Sequence, residues 1–486
     1  MRLNWLDVVI LLLYLVGITA FGIWFRRGQR DIHDYFLGGR TTPWWALAFS
    51  IVATETSTLT FISTPALAFA ENLHFLQLVF GYLVGRVLIC LILIPQYFRG
   101  EFYTAYQLIE KRFGARMKSA AAATFLVTRA LADGVRIAAI ALVVRVAFGT
   151  GEVASVVIVL LLTLLYTFHG GLKAVVWTDV LQLAIYLAGA ASAVVILLER
   201  LPGGWNQVTA VAAASGGKLG VFDFHFDWTT KYTFWSGVIG GTFLTTASHG
   251  TDQLIVQRLL AARSARDSKL ALLASGGIVL GQFVLFLLIG VMLYAYYGAP
   301  AIAPGRSYDP VFPEFIVTRM PAGLRGLLVA AIFAAAMSTT SGTLNSLASS
   351  SILDFQQLRG ATTDPERLLR LSRRMTLFWG AVLLLLGTVR WGPLLEAGLT
   401  IASITYGSLL GLFLLGILNR RATARGALVG MIAGLATIVY VRFATPVAWT
   451  WYVLTGTAAT FLAGSLASLL DKAPQPSSEP AGPEAR

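Results

Sequence analysis

The sequence predicts an all-α protein that crosses a membrane many times. Two compositional observations say so: 56% of the residues are hydrophobic while only 13% are charged, and the mean hydropathy is +0.72. A soluble chain of 486 residues does not carry so few charges. The third observation is a pattern. Windows of about 20 mostly apolar residues, the length a helix needs to cross a hydrocarbon core, recur from end to end. The ten-residue alternation of a transmembrane barrel strand is absent from the sequence.

Thirteen spans are expected in order at 5–25, 43–70, 73–97, 119–148, 152–170, 174–198, 233–256, 269–297, 321–348, 375–390, 393–418, 426–443 and 446–470. The first is followed by Arg26 and Arg27 and ends in no small-residue cleavage site, so it reads as a retained helix rather than a secretory leader. Gly170 and Gly171 predict a tight turn between the fifth and sixth spans, with Lys173 at its tip. The longest stretch between spans, 199–232, is polar and glycine-rich. The last residues, 473–486, are rich in Pro, Ser, Glu and Ala and read as a disordered tail.

The net charge of +13 is a matter of topology. Most of the 37 Lys and Arg fall in alternate loops, chiefly 26–40, 99–118, 258–269, 359–374 and 420–425. With thirteen spans, that bias predicts the amino terminus outside, the carboxy terminus in the cytoplasm and no nucleic-acid partner. The single cysteine, Cys90, lies in an apolar span and forms no intramolecular disulfide. The chain has no phosphate loop, nucleophile elbow or zinc signature, so it is not read as an enzyme or an ATP-driven pump, and no organic cofactor is expected. Energy for any transport then has to come from a gradient.

Polar residues at membrane depth are the functional candidates. In 333–353, Ala335, Ser338 and Thr339 share one helical face, and Ser341 and Gly342 extend it by a turn. Hydroxyls and exposed carbonyls are hard ligands suited to an alkali cation, although small residues in membrane helices also serve close packing. Residues 53–60 place five hydroxyls and Glu55 in the second span, where local unwinding would aim carbonyls at an ion. The third span carries Phe75, Gln77 and Arg86. In the fourth, Arg129, Asp133 and Arg136 fall at i, i+4 and i+7 on one face. They form either an internal network that joins helices, or a site in which Arg136 holds a substrate carboxylate bidentately. Asp179 enters the sixth span and wants a cation or an arginine. Ser248, His249, Asp252 and Gln253 are polar at depth beside Gly250, which is able to break the seventh span. No histidine has a partner at metal-ligand spacing.

These residues resemble the sodium:solute symporter family over nearly all of the chain. The likeness rests on residues 34–40 (Asp-Tyr-Phe-Leu-Gly-Gly-Arg), on Gly170-Gly171-Leu172-Lys173 running to Thr178-Asp179, on Gln257-Arg258-Leu259-Leu260, and on Ala335-Ala336-Met337-Ser338-Thr339, in that order. The resemblance implies a LeuT-type fold with two inverted five-helix repeats, at 43–198 and 233–418. Segment 1–42 precedes them, loop 199–232 separates them, and two helices at 419–472 follow.

It further implies a main sodium site at Ala53, Thr56, Ala335, Ser338 and Thr339, and in some members a second at Asp179, Ser338 and Ser341. The next hydroxyl of that second site is replaced here by Gly342, which puts the second ion in doubt. Substrate residues implied by members of the family are Ser57, Thr60, Gln77, an arginine at 129 or 136, Asp252 and Gln253, and Glu55 and Phe75 beside them are read as further substrate candidates. Glu55 stands where sialic acid members carry a hydroxyl, and would repel an acid unless Arg86 or Arg129 neutralised it. The expected function is sodium-coupled symport of a small polar solute, carboxylate-bearing or sugar-like, by a monomer in the cell membrane. A proton-coupled carrier titrating Glu55 or Asp179, and a non-transporting sensor, are the rivals.

Overall fold

A computed structural model of the chain describes residues 3–24, 37–100, 102–149, 151–298, 308–355, 365–389, 391 and 394–471. Residues 26–36 of the basic loop read at 26–40, and the tail at 473–486, lie outside the described residues. Everything regular among the described residues is helical apart from one isolated bridge between Thr42 and Ala262.

The chain begins with α1 (Trp5–Trp24), apolar except for a buried aspartate. Asp7 accepts hydrogen bonds from the amides of Gly323 (2.8 Å) and Gly326 (2.9 Å) and from Arg325 Nε (2.7 Å). It therefore meets the positive end of a later helix and fixes α1 against it. The second span is two helices, α2 (Trp44–Glu55) and α3 (Thr58–Ala70), bent by 60° at the hydroxyl-rich segment. Next come α4 (Leu76–Leu88), which runs on through a π turn to Tyr97, a short α5 (Tyr106–Phe113) and a long α6 (Ala115–Phe148).

Helix α7 is assigned without a break over Glu152–Arg200, so no loop interrupts it at Gly170 and Gly171 as the sequence predicted. Two glycines cost a helix only about 1 kcal/mol each and do not forbid it. The packing of α7 changes along its length. Val156 and Leu164 meet Gly387 and Gly380, whereas Lys173, Asp179 and Gly189 meet Gly38, Ser338 and Ala331. The change of partner falls between Leu164 and Leu172, around the glycine pair.

The segment after α7 holds α8 (Gly204–Ala214). A second broken span follows as α9 (Phe234–Gly250) and α10 (Gln253–Leu260), parted at Thr251 and Asp252. Asp252 caps α10 by accepting from Leu254 N at 2.8 Å. Gly81 of α4 and Gly241 of α9 let those two helices touch backbone to backbone: a Cβ on Gly241 would lie 2.2 Å from the Leu78 carbonyl. The remainder comprises α11 (Ala265–Tyr297), α12 (Val311–Arg319), α13 (Leu324–Leu353), α14 (Pro365–Gly387), α15 (Leu394–Leu418), α16 (Ala424–Ala444) and α17 (Tyr452–Leu470).

Burial ranks these helices. The apolar window of α13 is 94% enclosed by protein, against 28% for α1 and α16, so α13 is the central post and the other two face lipid. Among the described residues, eight helical stretches are long and apolar enough to span by themselves, or nine with the bent α2 and α3 pair as one, against the thirteen expected. The reasons are local. α6 carries Arg129, Asp133 and Arg136 in its middle, α9 has only 17 residues before its break, and α14 opens on a basic turn.

Candidate functional site

The break in the second span is made by hydrogen bonds that leave the helical ladder. Thr56 N still reaches Val52 O at 2.8 Å, but Ser57 N turns to Glu55 O at 3.0 Å, and Ser57 itself is extended (φ −85°, ψ 175°). The Ala53 carbonyl thereby loses its helical donor. On the facing α13, Thr339 Oγ1 lies 3.4 Å from Thr54 O and 3.1 Å from Ala335 O. Oxygens from both helices therefore converge at this level, and Ala53, Thr56, Ala335, Ser338 and Thr339 are all buried. Two of the five are also engaged elsewhere: Thr56 Oγ1 donates to Gln282 Oε1 (2.7 Å) and Ser338 Oγ to Asp179 Oδ1 (2.6 Å).

A cavity of about 870 Å3 opens beside the break. Glu55, Ser57, Thr60, Phe75, Arg129 and Arg136 all line it. Its charges are largely matched. Glu55 is ion-paired with Arg86 and lies 3.2 Å from His249 Nε2, so the carboxylate does not stand uncompensated in the wall. Arg129 spends all three nitrogens, Nε and Nη2 on Asp133 (2.6 and 2.9 Å) and Nη1 on Asp252 (3.1 Å). Asp133 also accepts from Thr343 (2.6 Å), and Asp252 from the Tyr406 hydroxyl (2.5 Å). Arg136 gives Asp133 only its Nη1, at 2.5 Å, and its side chain keeps 22% of its surface exposed. Of the two arginines, Arg136 is the one with donors turned to the cavity.

The profile of the Sodium:solute symporter family matches residues 35–434. The chain belongs to that family. It is 30% identical over 480 residues to the sodium/sialic acid symporter NanT of Aliivibrio fischeri, covering 96% of this chain and 94% of that protein. To the human sodium/iodide cotransporter it is 30% identical over 500 residues, covering 97% and 76%. A solved structure of a substrate-bound, outward-open Na+-coupled sialic acid symporter superposes with a TM-score of 0.89 at 28% identity, over 97% of this chain and 99% of that one. The LeuT-type fold follows from that likeness. Mhp1, of the nucleobase-cation-symport-1 family, shares the fold at 15% identity and a TM-score of 0.61, over 89% and 93% of the two chains.

The symporter thus couples a solute to sodium, and its remaining candidate residues have clear locations. Asp179 is fully buried and holds Arg258 Nη2 at 3.0 Å, with Ser50 Oγ donating at 2.5 Å. Ser341 Oγ bonds back to Ser338 O at 2.9 Å. Three residues expected at the substrate are not among those lining the cavity. Gln77 bonds Tyr232 O (3.1 Å) and Asp223 N (2.9 Å) in the segment before α9. Gln253 bonds Ala105 N (2.8 Å) and Tyr103 O (3.1 Å) in the segment before α5. Asp252 positions Arg129 from behind. In place of these three, Tyr82, Ser248, His249, Phe283 and Tyr406 line the symporter's cavity. Ser248 and His249 lay in a segment already marked as polar at depth. An aromatic in an apolar run gives no such signal.

Proposed function

We propose that the chain carries a small carboxylate-bearing solute together with one sodium ion, by alternating access, into the cell. The observation that carries this reading is Arg136: a cation at membrane depth, half committed to Asp133 and open to a cavity whose other charges are paired. The relatives that are sialic acid and monocarboxylate transporters support an acid as the cargo. Phe75, Tyr82 and Phe283 offer rings to the body of the solute, while Ser57, Thr60 and Ser248 offer hydroxyls.

Sodium binds between the Ala53 and Thr56 carbonyls and the Ala335, Ser338 and Thr339 oxygens, and ties the first repeat (43–198) to the second (233–418). Binding there completes the adjoining solute site, so each ligand tightens the other by the same factor. Release inside is favoured by low sodium and by a membrane potential worth about 2.3 kcal/mol per charge per 100 mV. The protein works as a monomer in the cell membrane, amino terminus outside and carboxy terminus in the cytoplasm, as the positions of Lys and Arg favour.

A thermal-stability screen of the purified protein tests this, run against monocarboxylates, acid sugars, neutral sugars and amino acids in parallel in sodium and potassium chloride. A ligand of the native state raises its stability by mass action. Stabilisation by carboxylates that appears only in sodium is the expected result. Equal stabilisation in both salts, or by neutral sugars alone, overturns it.

A further inference from the structure

A second cavity, of about 800 Å3, lies away from the transport site, between the end of the α4 extension, α5 and the last turns of α15. Its lining has two chemistries. Phe102, Ile109 and Phe413 are buried and form an apolar floor, continued by Leu108 of α5 and Ile417 of α15. At its rim stand Arg99, Lys111 and Arg112. Arg112 is used structurally: its Nη2 donates to the Asn419 (3.1 Å) and Arg420 (2.7 Å) carbonyls and holds α5 to the end of α15. Arg99 and Lys111 are exposed. Arg99 donates only to the Gln96 side chain, at 3.2 Å, and neither has an ion pair among the described residues. The nearby Glu110 is taken by Lys118 at 2.7 Å.

The depth of this cavity decides what fits it. The α4 extension ends at Tyr97 and α15 at Leu418, so the apolar floor belongs to the hydrocarbon edge and the cations to the headgroup level. We propose that the cavity is a binding site for an anionic phospholipid, its phosphate held by Arg99 and Lys111 and an acyl chain lying over Phe102, Phe413 and Ile417. An apolar trough capped by two cations with no ion pair among the described residues matches one negative headgroup on a hydrocarbon tail. A free anion would leave the floor bare, and a zwitterionic lipid would leave the rim unneutralised. The lipid would also brace the transport machinery. The segment between Arg99 and α5 contains Tyr103 and Ala105, which clasp Gln253 at the head of the broken half-helix α10, and Thr104, which donates to Asp354 at 2.6 Å.

The test compares melting temperatures of the detergent-purified protein with added phosphatidylglycerol, phosphatidylcholine or inorganic phosphate. Native mass spectrometry counts retained lipid, a readout independent of unfolding. Phosphatidylglycerol is expected to raise the melting temperature by several degrees more than phosphatidylcholine, and phosphate is expected to leave it unmoved. Arg99→Gln with Lys111→Gln should erase that difference and the bound phosphatidylglycerol. Arg266→Gln with Arg370→Gln, two exposed arginines near the starts of α11 and α14, should keep both. Equal losses in the two double variants mean diffuse attraction to a basic surface and overturn the site. So does a wild type with no preference for phosphatidylglycerol, and a phosphate effect equal to it shows a soluble-anion site instead.

Discussion

The Arg258 guanidinium rests on the Asp179 carboxylate at 3.0 Å, and the space it occupies exists because residue 342 is glycine. A Cβ there would come within 2.9 Å of Arg258 Nη2. The arginine also donates to Ser50 Oγ and Leu254 O, both at 2.7 Å, so four helices meet on one buried pair. The carboxylate that the family resemblance offered to a second sodium thus carries a tethered cation. Sodium activation of uptake should accordingly be hyperbolic, with a Hill coefficient of about one. Gly342→Ser should crowd the pair and lower stability by about 1–3 kcal/mol, read as a fall in melting temperature. Sigmoidal sodium activation in the wild type would count against a single ion.

Ser338 and Thr339 are adjacent, yet their loss should differ. Thr339→Ala removes one oxygen from the ion site, and should weaken sodium affinity roughly tenfold, about 1.5 kcal/mol, with little change in melting temperature. Thr339→Ser should restore it. Ser338→Ala also strips Asp179 of a 2.6 Å donor, so it should lower both sodium affinity and stability. Sodium titrations and melting curves on the three variants separate these effects.

The two arginines of α6 make a second contrast. Arg136→Ala should cost solute affinity, about 1.5–3 kcal/mol for a lost charged hydrogen bond, and leave the fold intact. Arg129→Ala strands Asp133 and Asp252 without their shared cation, and should destabilise the protein by about 3–5 kcal/mol. Uptake kinetics on Arg136→Ala and a denaturation profile on Arg129→Ala check the assignment. A folded, solute-binding Arg129→Ala protein would reverse the two roles.

How far the sequence could be read depended on whether a feature was local. The broken helices were legible because hydroxyls at 54–60 and Gly250 interrupt apolar runs, and Arg129, Asp133 and Arg136 were legible because helical spacing puts them on one face. Pairings across the bundle were not legible: Glu55 and His249 are 194 residues apart, and Asp179 and Arg258 are 79 apart. Gln77 and Gln253 mark the other limit. A glutamine in an apolar run gives the same signal whether it faces a cavity or a loop backbone, and here both bond backbone. The turn expected at Gly170 and Gly171 shows a third kind of difference, because the packing partners change there while the backbone stays helical.

The carboxy-terminal end of the central helix should respond to pH. Asp354 follows α13 directly and is fully buried, with Thr104 Oγ1 (2.6 Å) and Ser350 Oγ (2.7 Å) donating to it. Burial pushes its carboxyl up to about 7, against the pull of those hydroxyls and of Lys118, which is largely engaged by Glu110. A raised carboxyl means that the folded chain holds its proton more tightly than the unfolded one. Between the ordinary aspartate range and pH 7 the native state binds more protons, so stability falls as pH rises through that window and levels off above it. Asp354→Asn, neutral at every pH, should therefore melt several degrees above the wild type at pH 8 and within a degree or so of it at pH 5. Melting curves across pH 5–8 on the two proteins measure this, and parallel curves would mean that the carboxyl titrates in its ordinary range and that Thr104 holds a charged Asp354.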